Sequence, residues 1–340
     1  MEYLLDTLLP LPNGGKLPSF RTIMEETGAG QLTVGHALET LRNEGAIRID
    51  ARRGIYRVKT GEQTDEIRLI HFQQGSLNGS IFLERLFQDL IERAKTEGRR
   101  ITVENAGDRS PEQIAETLEA QGVQSCILSI ALHPEYARCL KRRIPLCLEL
   151  LPYHSGNEVP SLRDSPDMTV MQMNYLLNLG YRRIGYIHYG GLDTYLYSVQ
   201  VLRLLDYYRL MAENHLGIEP DWVFHCTERC ENLYDGMTRV MNSKTHPEAL
   251  IVPGAVLRVL YRWCWKHGIR IGNDLAVICG DDINADLKPD ATTITNSPES
   301  AAEIFWEMFR AAERGEKVEN RYTELFIHTG MTVPVRARPH

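Results

Sequence analysis

From Ile67 onward, short apolar runs alternate with amphipathic stretches, and this constrains the fold more than any other feature of the chain. "IRLIHF" reads as a buried strand, followed by a Gly/Ser/Asn loop and the amphipathic helix "IFLERLFQDLIERAKTEG". "RITVENA", "SCILSI" and "IPLCLELL" read as further strands, and "SPEQIAETLEAQG" as a helix with a Ser-Pro start. After a loop at 152–166 come the helix "PDMTVMQMNYLLNLG", the strand "RRIGYIHY" and a long helix over about 194–215. The strand "EALIVP", the helix "AVLRVLYRWCWKHG", the strand "DLAVICGDD", the helix "SPESAAEIFWEMFRAAERG" and a final strand "YTELFIHTG" complete the series. Alternation of this kind implies parallel strands joined by right-handed crossovers. The number of strands predicts two sheets, hence two α/β lobes with ligand loops at the carboxyl ends of the strands. The expected division is lobe 1 at about 67–150 and 293–318, and lobe 2 at about 151–292 and 319–335.

Residues 1–60 follow a different pattern. "LDTLLPLPNGGKLPSF" is too rich in Pro and Gly for a long helix, which leaves a short one near residues 1–9. Ser19 is placed to cap "FRTIMEETG", with Gly28 as its stop. Thr33 is expected to cap or open "VGHALETLRNEG", which puts Val34, Ala37, Leu38 and Leu41 on one face. "AIRID" and "GIYRVK" around "ARRG" read as a β-hairpin. Three helices and a two-stranded wing make a winged helix-turn-helix (α+β), joined by a polar linker at 61–66.

Charge sharpens this reading. The chain carries a formal net charge of −7, which does not favour nucleic acid as a partner of the whole molecule. Residues 42–59, however, hold Arg42, Arg48, Arg52, Arg53, Arg57 and Lys59 against Glu44 and Asp50. A phosphate-facing surface needs a local positive field rather than a positive total. A solvated basic turn explains the same charges equally well. The N-terminus "MEYLLDTLLPLPNGG" has no basic stretch before its apolar residues, and no run is long enough to span a membrane, so a cytoplasmic chain is expected. The seven cysteines, with one CxxxC at Cys226 and Cys230, are expected to be reduced thiols with no metal.

"GGKLPSFRTIMEETGAGQLTVGHALETLRNEGAI" followed by "RRGIYRV" resembles the winged-helix domain of GntR-type transcription regulators. "LGYRRIGYI", the following helix with Arg203, "HGIRIGNDLAVICGDD" and "TTITNSPESAAE" make residues 67–335 resemble the sensor domain of LacI-type regulators. That domain has the two-lobed α/β fold of periplasmic binding proteins. The combination implies a regulator, read as a repressor, that acts as a homodimer on operator DNA and responds to a sugar or sugar derivative. Most dimer contact is expected from sensor residues before about 150 and from the helix near 298–314. No cofactor is implied.

Position by position, the resemblance names Arg21, Gln31, Thr33, His36, Arg52 and Arg53 as DNA contacts. Arg21 has the fork for phosphate or a guanine edge, Gln31 suits adenine, Thr33 a phosphate at a helix start, and Arg52 and Arg53 the backbone or minor groove. In the sensor it names Arg203 and Asp281, donor and acceptor for vicinal hydroxyls, with Asn78, Ser80 and Glu149 as positional candidates. A structural ion pair between Arg203 and Asp281 is the alternative. The sequence departs from the two families at several points. Gly30-Gln31 stands where Ser-Arg is usual, and Gly35 where Arg is frequent. Gly254-Ala255 stands for Asn-Asp, Asp206 for Gly and Gly280 for an aromatic residue. Two other classes stay open: a ligand-binding protein whose winged helix no longer reads DNA, and a sugar-acting α/β enzyme. No dinucleotide, Walker, HExxH or GxSxG motif supports the latter.

Overall fold

A computed structural model describes residues 3, 15–43, 47–50, 54–57, 66–72, 81–189, 199–227, 229–281, 284 and 286–335. The chain divides into two compact units, Met1–Glu66 and Ile67–His340. Of the first helix expected near residues 1–9 only Tyr3 is described, and of the linker expected at 61–66 only Glu66, which opens a strand.

In the first unit, Ser19 caps α1 (Phe20–Thr27) by accepting from the Thr22 amide at 3.1 Å, and Gly28 ends it in the left-handed conformation at φ 64°. Helix α2 spans Gln31–Asn43. Its first turn forms earlier than expected, with the Val34 amide donating to the Gly30 carbonyl at 3.1 Å, so Thr33 lies inside the helix instead of capping it. Strands β1 (Ile47–Asp50) and β2 (Gly54–Arg57) pair antiparallel, from Ile47 opposite Arg57 to Asp50 opposite Gly54. The Leu17 amide donates to the Ile55 carbonyl at 2.8 Å, which ties the approach to α1 onto the hairpin. Leu17, Ile23, Val34, Leu38, Leu41, Ile47 and Ile55 close the core. The i, i+4, i+7 spacing of Val34, Leu38 and Leu41 makes α2 amphipathic, so burying that stripe presents its other residues to solvent.

The second unit contains two sheets. The first is ordered β13-β7-β6-β5-β3-β4, with β3 Glu66–His71, β4 Arg100–Asn105, β5 Ser125–Ser129, β6 Leu146–Leu150, β7 Ser161–Arg163 and β13 Arg321–Tyr322. Helices α3 (Ile81–Thr96) and α10 (Pro298–Glu313) pack on one face, with Leu86, Leu90, Phe305 and Phe309 against Leu148 and Leu150. Helices α4 (Pro111–Ala120) and α5 (Pro134–Lys141) cover the other. The second sheet is ordered β14-β12-β11-β10-β8-β9, with β8 Ile184–Tyr189, β9 Val223–Cys226, β10 Ala249–Val252, β11 Ala276–Gly280, β12 Thr292–Asn296 and β14 Leu325–His328. Helices α6 (Met168–Asn178) and α7 (Val199–Glu213) lie on one side, and α8 (Leu233–Asn242) and α9 (Gly254–Lys266) on the other. Pairing is parallel except for β14 against β12. The unit therefore has the expected two-lobed α/β architecture with largely parallel sheets.

The chain crosses between sheets at places other than those expected. The loop at 152–166 contains β7, which belongs to the first sheet. Strand β12 belongs to the second sheet, and the expected final strand is two strands, β13 in the first sheet and β14 in the second. The crossings therefore fall at 164–167, at Ser297 and at 323–324, rather than near 151, 293 and 319. Strands β7 and β9, of three and four residues, are too short to show a period of their own, whereas Leu233, Met237 and Val240 give α8 an i, i+4, i+7 stripe that the sequence reading did not use. No helix among the described residues is long and apolar enough to cross a membrane. All seven cysteines are free thiols.

Candidate functional site

Arg203 lies on α7, whose buried face also carries Tyr207, Leu210 and Met211. Tyr207 anchors the helix by donating to the Ile184 carbonyl of β8 at 2.7 Å. This fixes Arg203 one turn earlier on the helix, 2% exposed. Its Nη2 donates to Asp164 Oδ2 at 2.8 Å and to the Ser165 carbonyl at 3.0 Å, and its Nη1 lies 3.5 Å from Asp281 Oδ1. A lone guanidinium here would cost several kcal/mol to desolvate. Burial opposes its charge, but the carboxylates of Asp164 and Asp281 outweigh burial and raise its pKa. Its Nε–H is buried and makes no hydrogen bond. The structure thus places Arg203 beside Asp281 in the ion pair that the alternative reading anticipated.

Asp164 was not found from sequence. It follows β7, at the first crossing between the sheets. Its Oδ1 accepts from Asn296 Nδ2 at 3.4 Å and Thr323 Oγ1 at 3.5 Å, and Asn296 also donates to Thr323 at 3.2 Å. Asn296 ends β12, before the second crossing, and Thr323 lies at the third. One carboxylate therefore ties all three crossings to Arg203. "RDS" inside an apparent loop carried no periodic signal, and only the crossings give it meaning.

Asp281 follows β11 with φ at 68°, a left-handed conformation that aspartate tolerates better than most residues. Such backbone outliers concentrate at functional sites. Gly280 before it stands where an aromatic residue was expected. A Cβ at Gly280 would lie 2.6 Å from Met168 Sδ and 3.3 Å from Gln172 Nε2. Gln172 is held there by its 2.9 Å bond to the Cys279 carbonyl, so α6 occupies the space of the missing ring.

Glu149 departs from expectation. It is fully buried and faces away from Leu148 and Leu150, with Oε1 2.8 Å from His154 Nε2. The His154 Nδ1 accepts from the Gly156 amide at 3.1 Å, so Nε2 is the donor to Glu149. Glu149 fastens the loop after β6 through Oε1, while its Oε2 is buried without a hydrogen-bond partner. Asn78 and Ser80 lie outside the described residues, as do Tyr195 and Tyr197. Of the "YRWCW" aromatics, Trp263 is core, Tyr261 donates to the Pro289 carbonyl at 2.8 Å and Trp265 is 82% exposed.

In the first unit, Gln31, Thr33 and His36 are all exposed on α2. Leu32, 89% exposed between them, was overlooked in sequence. Gly30 and Gly35 have open space around the position of a Cβ, so packing does not demand glycine at either. Arg21 is exposed and pairs with Glu25 at 2.9 Å, a contact worth little in water. Arg52 and Arg53 lie outside the described residues.

A broad surface hollow of about 900 Å³ runs along α10. Its arginines are already paired, Arg93 with Asp89, Arg310 with Glu97, Arg314 with Glu316 and Arg321 with Glu307. It offers no convergent free polar groups of the kind seen around Arg203.

Residues 173–328 match the family of periplasmic binding protein-like domains. The chain is 29% identical over 116 residues to the HTH-type transcriptional regulator AglR of Rhizobium meliloti, covering 34% of this chain and 32% of that one. It is 27% identical over 138 residues to the HTH-type transcriptional repressor PurR of Klebsiella pneumoniae, covering 39% of each. The chain thus spans between a third and two fifths of the length of these relatives. A transcriptional regulator CelR, solved in complex with cellobiose, superposes with a TM-score of 0.66 at 15% identity, over 93% of this chain and 100% of that one. The second unit therefore has the periplasmic-binding-protein-like fold. The family match lies wholly within that unit.

Proposed function

We propose that the chain is a DNA-binding transcription regulator, read as a repressor, whose operator affinity is set by a small polar effector bound beside Arg203 and Asp281. The observation that carries this reading is the Asp164–Arg203–Asp281 cluster. It combines a guanidinium, two carboxylates and an unpaired Nε–H at the carboxyl ends of parallel strands, where such folds take their ligands. Asp164 belongs to a crossing between the sheets, so a ligand that competes for Arg203 acts on the joint on which the lobes turn. A ligand shifts DNA affinity only if it prefers one lobe arrangement. The relatives that carry names are transcription regulators, one of them a repressor, and cellobiose in the CelR complex supports a carbohydrate effector.

Residues 1–60 are read as a GntR-type winged helix whose α2 enters the major groove. Gln31, Thr33 and His36 face the bases and phosphates, with Leu32 beside a thymine methyl. Arg21 and the wing arginines Arg52 and Arg53 hold the backbone. A homodimer on a two-fold operator completes the reading.

The test is a gel shift on the chain's own promoter region over a salt series, with and without sugars that raise its melting temperature. The expected result is a salt-sensitive complex that one sugar weakens. No complex at low salt removes the DNA-binding reading, and turnover of the sugar replaces it with an enzyme.

A further inference from the structure

Two histidines outside the Arg203 cluster stand side by side at the same end of the second sheet. His188 on β8 and His225 on β9 are register partners, with ring centroids 5.5 Å apart and planes at 40°. Strand alternation puts His188 on the same face as Tyr186, the face that α7 covers and to which Arg203 belongs. His188 is 3% exposed. His188 Nδ1, His225 Nδ1 and Thr227 Oγ1 are all buried and without a hydrogen-bond partner. A single buried polar atom left in this state costs about 1–3 kcal/mol and is uncommon. Three within one strand pair indicate a partner that the described residues do not supply.

The chemistry of that partner follows from the groups. Burial, and to a lesser extent His225, lowers the His188 pKa to about 4, so its ring is neutral at physiological pH. A neutral imidazole donates at one nitrogen and accepts at the other, and a threonine hydroxyl does both. These groups match hydroxyls, which also donate and accept, and they offer an anion no charge. Strand order gives the span. β8 lies two strands from β11, which Asp281 follows, and this corresponds to about 10 Å. Two linked sugar rings fit that span better than one.

We propose that His188, His225 and Thr227 form a second subsite of the effector cleft, taking hydroxyls of the distal ring of an uncharged disaccharide whose other ring meets Arg203 and Asp281. This rests on the effector reading given above.

The experiment is calorimetric titration of the full chain with maltose, cellobiose, sucrose and trehalose, with glucose and galactose as single rings, and with gluconate as the anion. One disaccharide is expected to bind at least tenfold more tightly than any single ring or gluconate. His188→Phe and His225→Asn each reduce its affinity to the single-ring level while leaving single-ring binding unchanged. In wild-type protein labelled with 13C-histidine, the His188 and His225 ring resonances shift when that disaccharide saturates, a readout that does not depend on the variants folding. Equal affinity for one and two rings, or unmoved histidine resonances, overturns the subsite. If Arg203→Met abolishes sugar binding while the histidine variants bind as wild type does, the subsite falls and the effector reading stands. If no sugar binds, both fall.

Discussion

Asp164 and Arg203 connect a chain crossing to a helix of the second sheet. The Nη2–Oδ2 distance is 2.8 Å, and the other oxygen of the same carboxylate accepts from Asn296 and Thr323 at the two remaining crossings. On the proposed reading, effector chemistry and lobe movement meet at this ion pair. Asp164→Ala removes the tie and leaves a buried guanidinium with the Ser165 carbonyl and, as its remaining counter-charge, the partly exposed Asp281. The expected cost is about 3 kcal/mol in guanidinium chloride unfolding, together with a changed effector affinity. A variant as stable as wild type would show that the tie bears no strain.

Arg203→Met separates binding from stability. It removes the buried charge, keeps most of the volume and leaves Asp164 and Asp281, both partly open to water, without their guanidinium. Stability is expected to fall less than in Asp164→Ala, because no uncompensated buried charge remains, with loss of the thermal shift from the best sugar. A retained shift removes Arg203 from the effector site.

His188 makes the second unit sensitive to acid. In the unfolded chain its pKa returns to the ordinary 6.5, against about 4 when folded. Between these values the unfolded state binds the proton first, so stability is full above pH 6.5 and falls as pH drops towards 4. At pH 4.5 the loss due to this ring is about 2–3 kcal/mol. His188→Phe should flatten that part of the profile, measured by denaturant unfolding from pH 7 to pH 4.5. An unchanged slope would assign the acid loss to other groups.

Gly35 tests whether α2 meets DNA through its backbone. It lies mid-helix with open space where a Cβ would be. Gly35→Ala should stabilise the first unit by about 1 kcal/mol. If the helix backbone approaches DNA closely, the same methyl weakens operator binding severalfold in a gel shift. A gain in both stability and affinity would exclude the close approach.

Gly280 is the opposite case. Gly280→Ala forces the new Cβ against Met168 Sδ and the Gln172 amide, and overpacking of this kind costs about 1–3 kcal/mol. The melting temperature should fall, and Met168→Ala should restore much of it. Full stability in the single variant would mean that α6 yields freely.

The alternation after Ile67 and the i, i+4, i+7 stripe of α2 were legible because periodicity depends on local sequence alone. They gave the two α/β lobes and the helix pair with its hairpin, while Arg203 and Asp281 were named by the resemblance to LacI-type sensors and not by periodicity. Glu149 was misread because its position at a strand end does not reveal which face it takes, and the buried His154 decided that. Asp164, Asn296 and Thr323 are 132 and 27 residues apart along the chain, and no local pattern links them. They meet because each ends a segment where the chain leaves one sheet for the other. His188 and His225 became neighbours only when β8 and β9 paired in register. Sequence alone determined most of the strands and helices, but not α5, β7, β9 and α8. Tertiary structure decided which sheet each strand joins, and therefore which polar groups are buried together, because hydrogen-bond pairing between distant strands is set by the packing of the whole lobe.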